Sequence, residues 1–254
     1  RAEEKPWREL LGEWVPRFAP GVVAAAFHGA IRTAHAARSL AAAETPARLR
    51  ELADGLAYWA ANYHELPAST GAAPAGRLPS QAITRVAHLP AESAVNAGFI
   101  LDRLAPVERF APFANVAEAV DATGDASAFL SDLTETFAGV FLASVPPGGL
   151  ITFVHAVTGP SAVRLLLPHL SAPARASILR FAWQGAAAFY CGFGGVPPAP
   201  GSTSPPLDRE LVDRAIATRD EHAIKFTEAC LREHAIRPSP VFLRAAHHAV
   251  EQFG

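Results

Sequence analysis

A stretch near the end of the chain carries a histidine and a lysine whose spacing suits a metal site. His222, Lys225 and Glu228 are three residues apart, so on an α-helix they lie along one face. Apolar residues separate them, and a buried charge without a partner costs several kcal/mol. Two interpretations are open. Either Lys225 pairs with Glu221 or Glu228 and His222 is a hydrogen-bonded core residue, or His222 is a metal ligand.

Two further histidines lie in apolar segments far apart in the chain. His28 has small residues around it, and His155 has apolar neighbours on every side in 150–160. A buried neutral histidine needs a hydrogen bond or a ligand. Helical proteins often place metal ligands on facing helices, and imidazoles with a carboxylate suit non-haem Fe(II). The amine of Lys225, deprotonated by burial, could bind carbon dioxide as a carbamate and so supply an oxygen ligand.

The composition predicts an all-α fold that can bury a substantial core. The chain has 254 residues, of which half are apolar and 18% are charged. Apolar residues recur at helical spacing almost throughout, and no alternating Val/Ile/Thr run indicates strands. Without a charge run or linker, residues 1–254 are interpreted as a single domain whose histidines lie on facing helices.

Several classes of function are disfavoured by the same data. The net charge of −2 comes from scattered charges, which argues against a nucleic-acid partner. No uninterrupted run reaches the roughly 18 apolar residues of a membrane span. Two cysteines favour a reducing, cytoplasmic location. The sequence also lacks a Gly-x-Ser-x-Gly elbow, a P-loop, a dinucleotide fingerprint, His-Glu-x-x-His and Cys-x-x-Cys.

Proline and glycine punctuation predicts the helices. Those that bear on the site are 21–43, 46–63, 126–144, 150–170, 173–192 and 207–234, with Thr45 capping the second. The loop 192–206 is predicted to be mobile and to border the mouth of a cavity. Four aromatic residues are candidate walls for a flat substrate: Tyr58, Trp59, Trp183 and Phe226.

Four motifs, in order and in spacing, resemble the questin oxidase-like family. They are Phe27-His28-Gly29-Ala30-Ile31-Arg32, Leu56-Ala57-Tyr58-Trp59-Ala60, Val154-His155-Ala156-Val157-Thr158 and Glu221-His222-Ala223-Ile224-Lys225. The resemblance covers the chain from about Pro20 to Val250. Members usually have a further segment before this region, with an Asn-His motif. No such motif occurs here, and we expect this segment, with a further histidine ligand, to be missing.

The resemblance implies an oxygenase of secondary metabolism that oxidatively opens an anthraquinone-type ring, a reaction first described as a Baeyer–Villiger oxidation. It implies a non-haem iron(II) centre held by several histidines and a carboxylated lysine, which match His28, His155, His222 and Lys225. Dioxygen is the expected co-substrate, a small aromatic molecule the expected substrate, and NADPH a candidate electron donor. Two alternatives stay open, namely a helical protein that binds an aromatic metabolite without turnover and a metal-assisted hydrolase.

Overall fold

The protein is described by a computed structural model that covers residues 5–68, 76–95, 98–144, 150–197 and 210–254. Over these residues the chain forms eleven α-helices and no β-strand, which confirms the predicted all-α class. The helices are α1 (Trp7–Phe18), α2 (His28–Ala42), α3 (Pro46–Ala61), α4 (Pro79–Ala82), α5 (Ile100–Glu108), α6 (Ala126–Ala143), α7 (Leu150–Leu166), α8 (Ala172–Phe193), α9 (Glu210–Ala217), α10 (Glu221–Ile236) and α11 (Pro240–Phe253).

Helix α7 lies at the centre of the fold. It packs against α2, α6, α8 and α10, and every residue in 152–163 is buried. The segment Leu150–His169 is long and apolar enough to cross a membrane by length and composition, but 78% of its apolar window is buried inside the protein. A helix that is apolar on all sides and surrounded by other helices is a core helix. Side chains of α7 therefore face a neighbouring helix in every direction.

The predicted single helix over 207–234 is wrong, since the chain bends between α9 and α10. Arg219 adopts a left-handed φ of 57°. Asp220 then caps α10, because its Oδ1 accepts the backbone N–H groups of His222 (2.7 Å) and Ala223 (3.1 Å). The break places His222 in the first turn of α10 and Lys225 one turn further on. Residues 207–209 lie outside the described part of the chain.

The predicted helix 21–43 also begins later than expected, at His28. The three residues before it, Ala25, Ala26 and Phe27, have φ of 48°, 54° and 67°. Such conformations cost about 1–3 kcal/mol for each non-glycine residue, so tertiary contacts must hold this left-handed turn (residues 25–27). The turn directly precedes α2, which therefore starts with a histidine at its first position.

Other predicted boundaries agree more closely with the structure. Thr45 caps α3 as expected, accepting the N–H of Arg48 at 3.3 Å. The predicted helices 126–144, 150–170 and 173–192 correspond to α6, α7 and α8. Of the predicted loop 192–206, residues 198–206 lie outside the described part of the chain.

A buried ion pair connects the central helices. The carboxylate of Glu233 on α10 is 0% exposed and makes two bonds with Arg164 on α7, at 2.6 Å and 3.1 Å. The Ser161 hydroxyl on α7 donates a third bond at 2.7 Å, and Arg164 also donates to Ser131 on α6 at 3.1 Å. This network fixes α7 relative to α10, the two helices that carry His155 and Lys225.

Candidate metal centre

Nitrogen atoms from three helices meet at His155. Its Nε2 lies 3.0 Å from Nε2 of His28 on α2 and 2.9 Å from Nζ of Lys225 on α10. His155 is 1% exposed, while His28 and Lys225 are half-buried. The structure therefore brings together three of the four residues that the sequence nominated, from positions 70 and 127 residues away from His155.

The backbone of α7 fixes the tautomer of His155. Its Nδ1 lies 2.7 Å from the carbonyl oxygen of Ile151. A carbonyl only accepts, so Nδ1 carries the proton and Nε2 of the neutral ring offers a single lone pair. Two nitrogens, on His28 and Lys225, approach that one lone pair. Both cannot donate a hydrogen bond to it, so His155 satisfies at most one of these two donors.

The electrostatics of the cluster favour neutral imidazoles. Burial, and then the nearby Lys225, lower the pKa of His155 to about 2 and that of His28 to about 4. Burial lowers the pKa of Lys225 to about 8, against the opposing influence of Glu221 and Asp220. At neutral pH both imidazoles are therefore unprotonated and offer lone pairs, which is the state that metal ligation requires.

His222 lies beside the cluster in a less direct position. Its ring centroid is 5.5 Å from that of His155, and it stacks on Phe253. Its Nδ1 faces carboxylates, 3.4 Å from Asp220 and 3.6 Å from Glu221, and burial lowers its pKa. The possible metal-ligand atoms of Asp220, Glu221 and His222 lie within 4.8 Å of one another. The Asp220 carboxylate also caps α10, however, so part of its hydrogen-bond acceptor capacity is already used.

The interpretation in which Lys225 pairs with a carboxylate is wrong. Glu228 is bound instead by Arg38 at 2.7 Å and by Arg232 at 2.6 Å. Among the described residues, no carboxylate forms an ion pair with the Lys225 amine. The nearest polar partner of that amine is the His155 imidazole, which is unusual for a half-buried lysine and points to a role other than charge neutralisation.

The donor set fits a transition metal. Imidazole nitrogens with free lone pairs are ligands that suit iron, zinc, copper or nickel. The two imidazole Nε2 atoms of His28 and His155 are 3.0 Å apart. A cation that accepts both lone pairs would resolve the competition for the single acceptor site of His155. These residues therefore fit the metal that the family resemblance implies.

The left-handed turn positions His28 through its neighbour Phe27. The Phe27 ring is completely buried and packs edge-on against Phe189. Two glycines make room for it. A Cβ on Gly159 of α7 would lie 2.3 Å from Phe27 Cγ, and one on Gly185 of α8 would lie 2.7 Å from its Cζ. Since Gly159 is one helical turn from His155, the same surface of α7 holds Phe27 and presents the imidazole to His28.

Replacing Gly159 by alanine is expected to destabilise the protein and weaken metal binding. The added Cβ overlaps the base of the Phe27 ring, and overpacking of this kind costs about 1–3 kcal/mol. The displaced ring should carry the adjacent His28 away from His155. Urea unfolding and calorimetric metal titration would measure the two effects. Gly192→Ala is the control, because its Cβ meets Val107 at 3.0 Å; equal metal affinity in both variants would contradict the prediction.

A cavity of about 390 Å³ opens beside His28. It is lined by residues 25 and 26 of the left-handed turn, by His28 and Tyr58, and by residues 99–102 at the start of α5. Tyr58, predicted as a wall for a flat substrate, lines this cavity. Trp59, Trp183 and Phe226, also predicted as walls, are at most 1% exposed and do not line this cavity. The indole N–H groups of both tryptophans donate to the backbone, as expected of core residues.

Sequence reasoning missed the contribution of α5, which carries none of the histidines. No pattern in 99–102 marks it as part of a site, and only the lining of the cavity, which it shares with His28 and Tyr58, reveals it. Comparisons of the chain with models of protein families, with curated proteins and with solved structures find no match.

Proposed function

We propose that the protein is a non-haem metal-dependent oxygenase that oxidises an electron-rich aromatic ring, with iron(II) as the metal and dioxygen as co-substrate. The observation that supports this most strongly is the meeting of His28 Nε2, His155 Nε2 and Lys225 Nζ within 3.0 Å contacts. Two imidazole lone pairs meet at a buried point, and among the described residues no carboxylate forms an ion pair with the adjacent Lys225 amine, so the site is suited to hold a cation. The family resemblance supports the choice of iron over zinc or copper.

In this proposal His28 and His155 are the imidazole ligands, and His222 completes the histidine set. The Ile151 carbonyl holds the proton of His155 on Nδ1 and so keeps Nε2 free to bind metal. Bound iron supplies the activation of dioxygen that oxygenase chemistry requires. The protein supplies the buried position of His155 on α7 and an opening beside His28 through which a ring can approach.

Lys225 is proposed to act as a carbamate. Its neutral amine forms an N–C bond with carbon dioxide and releases one proton, which leaves an anionic oxygen donor in place of a cation. A pKa lowered to about 8 increases the fraction of neutral amine at physiological pH. This chemistry explains why a lysine, which as an ammonium repels a metal ion, stands in contact with a proposed ligand.

Replacing Lys225 by arginine is expected to lower metal affinity at least tenfold, although the positive charge is retained. Guanidinium does not lose its proton in proteins and cannot form this carbamate. Calorimetric titration with Fe(II) under anaerobic conditions would measure the change, and ¹³C NMR with labelled bicarbonate would detect the carbamate in the wild type. The control is Arg232→Lys, a variant that alters a nearby ion pair with Glu228. Unchanged iron affinity in Lys225→Arg would contradict the role of this lysine.

Metal analysis and oxygen uptake test the function as a whole. The purified protein should contain iron, or bind it stoichiometrically, and should consume dioxygen in the presence of a hydroxylated anthraquinone. A protein that binds the aromatic compound but no metal would be a binding protein. A protein that binds metal, consumes no dioxygen and cleaves an ester or amide would be a hydrolase.

A further inference from the structure

The cavity beside His28 has the character of a site for a small aromatic molecule. Its volume of about 390 Å³ falls within the range of about 300–1,000 Å³ that is typical of ligand pockets. Most of the residues around it are apolar, and the polar ones are few: His28, Tyr58 and Asp102. An apolar cavity with a small number of polar groups fixes both the position and the orientation of a ligand.

Phe99 stands out at the rim of this cavity. Its side chain is 86% exposed, the highest value among the exposed large apolar residues of the described chain. The Tyr58 ring, on α3, lines the same cavity and is 37% exposed. Exposing an aromatic ring to water forfeits about 1.5–3 kcal/mol of burial free energy. A flat ligand between these two rings would recover part of that free energy.

Asp102 places a carboxylate in the same wall. One of its oxygens, Oδ2, accepts the backbone N–H of Phe99 at 2.8 Å, which caps the start of α5 and fixes the side chain. A carboxylate has about four acceptor sites, so Asp102 retains capacity for a ligand hydroxyl. A carboxylate only accepts and repels other anions, so it would favour a ligand that presents O–H groups rather than carboxylate or sulfate.

We infer that this cavity is the substrate site. Phe99 and Tyr58 hold a planar ring in it, and Asp102 selects for ring hydroxyl groups by accepting hydrogen bonds from them. The inference rests on the proposed function, because the ring must lie beside the metal centre at His28. It adds a determinant of specificity on α5, a helix that none of the four sequence motifs includes. The predicted preference is for phenolic ligands over their methyl ethers.

The test compares two probes on three proteins. Binding of 1,8-dihydroxyanthraquinone and of its dimethyl ether to the full chain is measured by fluorescence quenching without metal. The wild type should prefer the dihydroxy probe. Asp102→Asn should lower the affinity for the dihydroxy probe about tenfold, since hydrogen bonds to charged groups contribute about 1.5–3 kcal/mol. The affinity for the dimethyl ether should not change. Phe99→Ala should lower the affinity for both probes about fivefold, because the contact between the aromatic rings is lost.

Two controls keep the outcomes separate. Ile216→Ala removes another exposed apolar side chain, on α9, and should change neither affinity. Phe99→Asp introduces a good N-cap residue, so α5 should persist while ring binding is lost. Equal effects of Asp102→Asn on both probes, or unchanged binding in both Phe99 variants, would overturn the inference.

A different result would contradict the proposed oxygenase function. If the variants alter probe binding as expected but no iron binds and no dioxygen is consumed, the cavity is a ligand site in a protein that is not an oxygenase. If the wild type turns the dihydroxy probe over and the Phe99 and Asp102 variants do so with unchanged KM, the oxygenase stands and the substrate site lies elsewhere.

Discussion

Replacing His155 by alanine is expected to abolish metal binding, with a loss of affinity of at least a hundredfold. The His155 imidazole is the point at which His28 and Lys225 meet, so its removal eliminates one ligand and the contact that holds the other two together. Far-UV circular dichroism should be nearly unchanged, because α7 has contacts with α2, α6, α8 and α10 along its length. Elemental analysis and anaerobic calorimetry with Fe(II) would measure the loss.

His35→Ala is the matched control for this variant. His35 is another half-buried histidine on α2, and burial also lowers its pKa, but it lies near Arg38 and Glu228 rather than in the nitrogen cluster. Metal binding should survive in His35→Ala. If both variants bind iron like the wild type, the cluster is a hydrogen-bonded group of core residues and holds no metal.

Sequence could predict the burial of His155 and the shared helix face of His222 and Lys225, because apolar neighbours and helical spacing are local properties, whereas the convergence with His28 was predicted through the family resemblance. His155 lies in a segment that is apolar on all sides, and the three-residue spacing puts Lys225 on the same face of α10 as His222. The sequence does not predict how deeply each of these residues is buried. His155 is the buried centre, whereas His222, the starting point of the sequence argument, lies at the side with its Nδ1 facing carboxylates.

The left-handed turn was not predictable from its own residues. Nothing in Ala25-Ala26-Phe27 favours a positive φ, which normally calls for glycine or asparagine. The Phe27 ring packs against positions more than a hundred residues away, where Gly159 and Gly185 make room for it. Only the folded structure brings these positions together, so local sequence patterns predict an uninterrupted helix through 21–43.

The break between α9 and α10, by contrast, had a local signal that the sequence interpretation overlooked. Asp220 precedes Glu221 at the start of an apolar-periodic segment, a pattern typical of a helix N-terminus.

The aromatic residues illustrate the opposite case. Tyr58 and Trp59 are adjacent, yet one lines the cavity and the other is buried with its indole N–H donating to the Gly21 carbonyl. Which face of α3 meets the core is decided by α2.

Replacing Glu233 by alanine is expected to destabilise the fold by about 3–5 kcal/mol, the usual cost of removing one partner of a buried ion pair. The variant leaves the Arg164 guanidinium, whose side chain is 11% exposed, without its carboxylate. It also removes the acceptor for the Ser161 hydroxyl. Urea denaturation followed by circular dichroism would give the free energy of unfolding. Because the network joins α7 to α10, metal affinity should fall in the same variant.

Two further variants separate the ion pair from mere loss of side-chain volume. Glu51→Ala breaks the pair with Arg32, in which both side chains are exposed, and should cost less than about 1 kcal/mol. The double variant Glu233→Leu with Arg164→Met removes both charges and should recover most of the stability, because an apolar replacement of similar size avoids an unpaired charge. A Glu233→Ala variant no less stable than Glu51→Ala would contradict the structural role of the network. If the double variant regains stability but not metal affinity, the ion pair positions His155 and Lys225 as well as stabilising the fold.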